Sequence, residues 1–319
     1  MSFPEKTVTN QDLAKLMDTS DQWIRDRTGI LERRLIAEGQ ANSDLSVQAV
    51  QQALDQTPYS SEDIDLIIVA TVTPDMMFPS TACVLQDKLG ARNAWGFDLS
   101  GACSGFIYAL ATGAQFIQNG VHERVIVVGT DVMSTIIDFE DRATSVLFGD
   151  GSGAVLLEPS HDDRGILDFL LHSDGSGGKY LYMPAGGSLN PASRKTIKEK
   201  MHVVHQDGRT VFKYAVRFIT EVCRNLLDRN NLCPEDIKLF IPHQANLRII
   251  NSSVKRLGLR KDQVWINIDR YANTTAATIP VGLAEAQGQG RLEDGDLVLL
   301  ASFGAGFTWG GVLLRWGMN

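Results

Sequence analysis

"SEDIDLIIVA", residues 61–70, and "PEDIKLFIPH", residues 234–243, follow one pattern. Each opens on a helix-start signal, crosses a short charged link and enters an apolar run fit for a buried strand. The likeness continues downstream. Each run is followed by a helix ending in Leu-Gly, "VLQDKLG" to Gly90 and "SSVKRLG" to Gly258. A strand comes next, "AWGFDL" (94–99) or "VWINID" (264–269). It leads into a loop of small or polar residues and another helix, "SGACSGFIYALATGAQFIQNG" or "YANTTAATIPVGLAEAQGQG". A pair of strands closes each half: "RVIVVGTD" with "GSGAVLLEP", and "DLVLLASF" with "FTWGGVLLRW". An internal repeat of this length settles the fold class before any single element does. Strands alternating with helices predict a mainly parallel sheet covered on both faces, and a closing pair with no helix between must be antiparallel. The chain therefore reads as an α/β protein of two similar halves, 1–160 and 161–319, joined near "SHDDRGI". One strand has no counterpart: "GILDFLLHS" opens the second half, whereas the first begins at "MSFPEKTV".

Composition excludes several classes. The chain has 319 residues, 44% of them hydrophobic and 21% charged, which suits a packed globular protein rather than a disordered one. A net charge of -8 gives no global attraction for nucleic acid, so an acidic partner would need a local basic patch. No apolar run reaches the roughly 18 residues of a membrane span, and "MSFPEKTVTN" has no basic-then-apolar signal pattern. The four cysteines, Cys83, Cys103, Cys223 and Cys233, match no zinc spacing. Reduced thiols in the cytoplasm are the expectation, with no metal and no cofactor.

Three polar residues fall at the carboxyl ends of strands, where ligands bind in such sheets. Cys103 follows "GFDL", Asn273 follows "WINID" at the equivalent joint, and His243 follows "LFIP". Cys103 would sit at a helix N-terminus, where the dipole and free N–H groups favour a thiolate. The helix is credible, because Phe106, Leu110, Ala114 and Ile117 recur at three or four residues. Gly101 and Gly105 allow a tight turn like the elbow that presents nucleophiles in hydrolases. Each residue also has a plain reading: a buried packing cysteine, a satisfied structural histidine, an asparagine in a turn. Together they form a usable set of nucleophile and neutral donors. "GDGSGAV" and "FGAGFTWG" lack the strand-then-helix setting of a dinucleotide loop. In the latter, Gly304 and Gly306 suit one arm of an oxyanion hole or, equally, a bulged hairpin turn.

"GACSGF", "PHQANLRII", "NTTAA", "FGDGSGAV", "FGAGFTWG" and "DTSDQWIRDRTGI" (18–30) resemble, in order and over nearly the whole chain, beta-ketoacyl-[acyl-carrier-protein] synthase III of the thiolase superfamily. The resemblance implies a thiolase-like α/β fold: two pseudo-duplicated halves with mixed five-stranded sheets in a layered αβαβα arrangement. It implies a decarboxylative condensation of an acyl-CoA starter, expected to be acetyl-CoA, with malonyl-acyl carrier protein. Cys103 would carry the acyl group, and His243 and Asn273 would hydrogen-bond the enolate oxygen. The backbone N–H groups of Cys103 and Gly306 would form the oxyanion hole. Trp23, Arg27 and Arg142 would flank the CoA adenine, Asn246 would reach the pantetheine arm, and Phe78 would cross a homodimer interface to line the acyl pocket. Lys213, Arg248, Lys255 and Arg256 would dock the acidic carrier protein around the pocket mouth, with Arg209 and Arg217 on the same helical face as Lys213.

The family normally has a strand before "PEKTVTN", in the centre of its sheet on this reading. Its lack here carries the expectation of a late start or a truncation. Rival readings are a papain-like hydrolase, a related thiolase-fold enzyme of a specialised polyketide pathway, and a non-catalytic acyl-CoA binder. The hydrolase reading lacks its "C-G-[SA]-C-[WY]" signature here. The segment "GGSLNPASRKTIKEKMHVVHQDGR" carries no assigned chemistry.

Overall fold

The computed structural model describes residues 1–160 and 162–317. The first half contributes β1 (Leu66–Ala70), β2 (Trp95–Leu99), β3 (Val125–Val132) and β4 (Asp150–Leu157). They form one sheet in the order β2-β1-β3-β4, with β4 alone antiparallel. The second half contributes β5 (Gly165–Ser173), β6 (Leu239–Pro242), β7 (Leu297–Gly304) and β8 (Thr308–Arg315). Their order is β6-β7-β8-β5, parallel between β6 and β7 and antiparallel elsewhere. The repeat in the sequence is thus a repeat of topology.

Seven helices matter here: α1 (Asp21–Thr28), α2 (Asn42–Leu54), α3 (Thr81–Leu89), α4 (Gly105–Gln118), α5 (Gly208–Arg229), α6 (Leu247–Leu257) and α7 (Thr278–Gly288). Strand residues sort by parity, because successive side chains point to opposite faces. Leu66, Ile68, Val125 and Val127 join Leu239, Ile241, Val298 and Leu300 around α4 and α7, in a core that lies between the two sheets. Ile67, Val69, Ile126 and Val128 face outward under α2 and α3. Phe240, Leu299 and Leu313 face α5 and α6. Both sheets are buried on both faces, which is why their strands read as unbroken apolar runs. Each fully buried Val, Leu or Ile contributes about 1.5–3 kcal/mol. The result is five layers, αβαβα.

Two expectations are corrected. Among the described residues the second sheet has four strands rather than five, and the first, expected to be one short, also has four. "VWINID" makes a single bridge, Val264 to Phe240, and then departs. The side chain of Gln244 occupies that edge instead, donating to the carbonyls of Pro242 at 2.8 Å and Trp265 at 3.2 Å and accepting from Asn267 N–H at 3.2 Å. A first-half counterpart of β5 would not be a central strand. In its own half β5 lies at the outer edge of the sheet, on β8. At the matching edge of β4, Ser2 exchanges two backbone hydrogen bonds with Ser152, at 2.7 and 2.9 Å. The unassigned polar segment holds a five-residue helix, Arg194–Lys198, and the strand His205–Gln206, which pairs with Leu181–Tyr182 upstream of it.

Candidate active site

β2 ends at Leu99, and the chain turns through Gly101 into a short 3-10 turn, Ala102–Ser104, that runs on into α4. Ala102 has φ +47°, the left-handed region that non-glycine residues avoid, so this turn stores strain. A Cβ at Gly101 would lie 3.0 Å from the Cα of Gly105, so the turn closes only without a side chain there. The other half holds it in place. Ser302 Oγ donates to the carbonyl of Cys103 at 2.7 Å, Ser104 Oγ donates to the Thr308 carbonyl at 3.1 Å, and Thr308 Oγ1 donates to the Gly101 carbonyl at 3.0 Å. Gly304 backs directly onto the nucleophile turn: a Cβ there would lie 2.8 Å from Cys103 N.

The electrostatics at Cys103 correct the sequence reading. Burial, with a smaller push from the Asp131 carboxylate, drives the thiol up to about 12, against a small opposing effect of its own backbone N–H. The resting sulfur is therefore a thiol, because desolvation of the charged form outweighs the helix N-terminus.

His243 follows β6, and its N–H donates to the Ala301 carbonyl at 2.8 Å. The ring is buried, which lowers its pKa to about 3 and keeps it neutral. Nδ1 lies 2.7 Å from Thr278 Oγ1, and Nε2 has no partner. Asn273 is clamped by two backbone bonds to the first half: its N–H to the Leu147 carbonyl at 3.0 Å, and Gly149 N–H to its own carbonyl at 3.1 Å. Its Oδ1 accepts from Thr275 N–H at 2.9 Å, which leaves the side-chain NH2 as a free donor.

One cavity of about 290 Å³ takes Cys103, His243 and Asn273 into its wall together. Trp23, Arg27 and Asn246 line it too. Ser20 caps α1 by accepting from Trp23 N–H at 3.2 Å, and two guanidinium groups lie over the indole, Arg142 at 4.8 Å from the ring centroid and Arg27 at 5.7 Å. Arg142 stands outside the lining and donates to the Asp18 carbonyl at 2.8 Å. The Asn246 side chain is already engaged: it caps α6 through Arg248 N–H at 2.8 Å and donates to the Arg27 carbonyl at 2.9 Å.

Other expected residues lie elsewhere. Gly306 is not in the cavity wall; Gly304 is the glycine against Cys103. Phe78 is 84% exposed and does not line the cavity of its own chain. Of the basic residues, Arg248 packs over Phe212, a lining residue, at 5.7 Å, and exposed Lys213 is the next residue of α5. Lys255 and Arg256 lie two turns further along α6, about 10 Å away. Of the expected docking residues, Arg248 and Lys213 therefore stand nearest the lining residue Phe212. Arg217 instead pairs with Glu221 at 3.7 Å.

The sequence reading missed Val211, Ala215 and Ile219, which line the cavity from one face of α5. Their four-residue spacing was as legible as that of Arg209, Lys213 and Arg217 on the opposite face. Among the described residues no cluster of His, Cys, Asp and Glu could hold a metal ion.

The chain is similar to known proteins. The profile of the family described as "3-Oxoacyl-[acyl-carrier-protein (ACP)] synthase III" matches residues 97–175, and that of its C-terminal part matches residues 227–316. A beta-ketoacyl-[acyl-carrier-protein] synthase III of Solibacter usitatus is 55% identical over 316 residues, covering 98% of this chain and 96% of that protein. The crystal structure of 3-oxoacyl-[acyl-carrier-protein] synthase III from Aquifex aeolicus superimposes with a TM-score of 0.91 at 44% identity, covering 99% of this chain and 97% of that one. The Thermus thermophilus enzyme gives a TM-score of 0.92, also at 44% identity, with the same coverage.

Proposed function

The chain belongs to the beta-ketoacyl-[acyl-carrier-protein] synthase III family, and from that premise we propose how its cavity carries out the reaction. The protein has the thiolase fold and is an acyltransferase. It condenses an acyl-CoA with malonyl-acyl carrier protein and so starts fatty acid synthesis.

The observation that carries the mechanism is the meeting of Cys103 from one half with His243 and Asn273 from the other, in one cavity. In the first step the Cys103 sulfur bonds to the acyl carbon, the carbon–sulfur bond to CoA breaks, and CoA leaves as the thiol with the proton that Cys103 gives up. The thiol is neutral at rest, so that proton moves to the departing CoA sulfur during attack. In the second step the malonyl group loses CO2, and the electron pair left behind delocalises onto the thioester oxygen. Asn273 NH2 and His243 Nε2–H, with Nδ1 held against Thr278 Oγ1, hydrogen-bond that oxygen. The carbanion attacks the acyl-cysteine carbonyl, the 3-oxoacyl-carrier protein departs, and the Cys103 thiolate regains a proton. Both donors are neutral, so neither opposes the enolate with a charge of its own. The reaction needs no metal or cofactor.

Trp23, Arg27 and Arg142 form the adenine platform, and Asn246 the adjoining wall. Arg248 and Lys213 receive the carrier protein at the mouth. The pair of molecules we assign is a homodimer joined along the open edge of β2, where Trp95 is half exposed and Met77 and Phe78 project. Phe78 would then enter the partner's pocket, and sedimentation of the Phe78→Asp variant as a monomer supports this. No described helix is long and apolar enough to cross a membrane, and we assign the protein to the cytoplasm, where its four free thiols stay reduced.

Acetyl-CoA is the starter we assign. A panel of acyl-CoAs with malonyl-carrier protein, read by mass of the Cys103 adduct and by CO2 release, tests the whole scheme. Acetyl transfer to Cys103 followed by CO2 release supports it. CO2 release without any Cys103 adduct, or preference for a longer acyl group, overturns the nucleophile or the starter respectively.

A further inference from the structure

Asp131 ends β3 fully buried, and among the described residues no basic side chain pairs with it. A carboxylate there works against the nucleophile, since its charge helps raise the Cys103 thiol. Its hydrogen bonds supply a reason for it. Oδ1 belongs to the first half, accepting from Thr71 Oγ1 at 3.0 Å, Val72 N–H at 2.8 Å, Thr73 N–H at 3.2 Å and Thr73 Oγ1 at 2.9 Å. Oδ2 reaches across to the second half and accepts from Thr275 Oγ1 and from Ala276 N–H at 3.2 Å.

Thr275 is an anomaly by itself. Its φ of +48° is a strained conformation for a β-branched residue, and Ala272 nearby has φ +57°. Glycine would adopt both angles freely, but only a hydroxyl can grip Asp131. The backbone of Thr275 then serves both donors. Its N–H holds Asn273 Oδ1 at 2.9 Å. Its carbonyl accepts from Thr278 N–H and lies 3.2 Å from Thr278 Oγ1, the hydroxyl that touches His243 Nδ1 at 2.7 Å.

We propose that Asp131 is a positioning residue: by holding the Thr275 hydroxyl across the boundary between the halves, it sets the strained loop that aims Asn273 and His243 at one oxygen. It touches no substrate. The inference rests on the reading of Asn273 and His243 as the enolate donors.

The experiment compares Thr275→Val, which keeps the branched shape without the hydroxyl, Thr275→Ser, which keeps the hydroxyl, and Asp131→Asn, with Asn273→Ala as reference. Acetyl transfer to Cys103 and CO2 release from malonyl-carrier protein are measured separately. Displacing the donors by an ångström costs CO2 release about 100-fold. Thr275→Val and Asp131→Asn should show that loss with acetyl transfer nearly intact, and Thr275→Ser should restore CO2 release. If Asn273→Ala loses CO2 release but Thr275→Val and Asp131→Asn keep it, the positioning role is overturned. Equal loss of both half-reactions in those variants overturns it too. If Asn273→Ala itself releases CO2 normally, the donor reading fails instead.

Discussion

Acid should destabilise this protein through His243, and the size of the effect follows from its burial. The ring is held neutral, with its pKa near 3 against an ordinary value of 6.5, and no carboxylate among the described residues hydrogen-bonds to it. An unfolded chain takes up the proton near pH 6.5; the folded one refuses it until far lower. The folded pKa is depressed, so the group's contribution to stability is complete above pH 6.5 and is lost as pH falls from 6.5 toward 3. Between pH 7 and pH 5 the loss depends only on the unfolded value, because the folded ring stays unprotonated throughout. Each pH unit below 6.5 removes about 1.4 kcal/mol, so the interval removes about 2 kcal/mol. The assay is urea unfolding of the native chain and of His243→Gln at both pH values. The other titrating groups are common to both proteins and cancel in the comparison. His243→Gln should lose about 2 kcal/mol less on acidification. Equal losses would mean that the folded ring already carries a proton at pH 5, and the argument for a neutral donor facing the enolate would fail.

Four further outcomes follow from the same geometry. Gly304→Ala drives a Cβ to within 2.8 Å of Cys103 N, a backbone atom with no slack. It should destabilise by about 1–3 kcal/mol and slow Cys103 acylation, and an unchanged melting temperature and acylation rate would show that the turn can yield. Asn273→Ala should cut CO2 release by about 10²–10³ as a lost oxyanion donor. Asn273→Asp keeps the acceptor for Thr275 N–H but sets a charge about 4 Å from the enolate, adding up to about 4 kcal/mol of repulsion, so it should be the worse variant. Should the aspartate prove as active as the alanine, neutrality is not what the site requires. Arg248→Glu should raise KM for malonyl-carrier protein more than for acyl-CoA; equal effects on the two would remove Arg248 from carrier docking.

The repeat made the two halves and the strand ends with Cys103 and His243 readable from residue order alone, and put Asn273 at the equivalent joint although no strand precedes it. Periodicity is a local property: whether residues alternate or recur at three and four depends only on which face of a strand or helix meets a core, so Leu66–Ala70 and Leu239–Pro242 announce themselves. What failed was set by contacts with chain far away in sequence. "VWINID" has the pattern of a strand, yet the Gln244 side chain took its place at the edge. Cys103 sits where a helix end favours a thiolate, yet segments folded over it exclude water and hold the proton on. Val211, Ala215 and Ile219 looked like an ordinary buried face until α5 met the cavity. Asp131 and Thr275, 144 positions apart, carry no signal in either half, because their bond exists only where the halves meet. The sequence by itself determined the duplicated sheets and which residues stand at their ends. Only the tertiary structure decided the charge state, partners and aim of those residues, since desolvation and hydrogen bonding depend on what the other half lays against them.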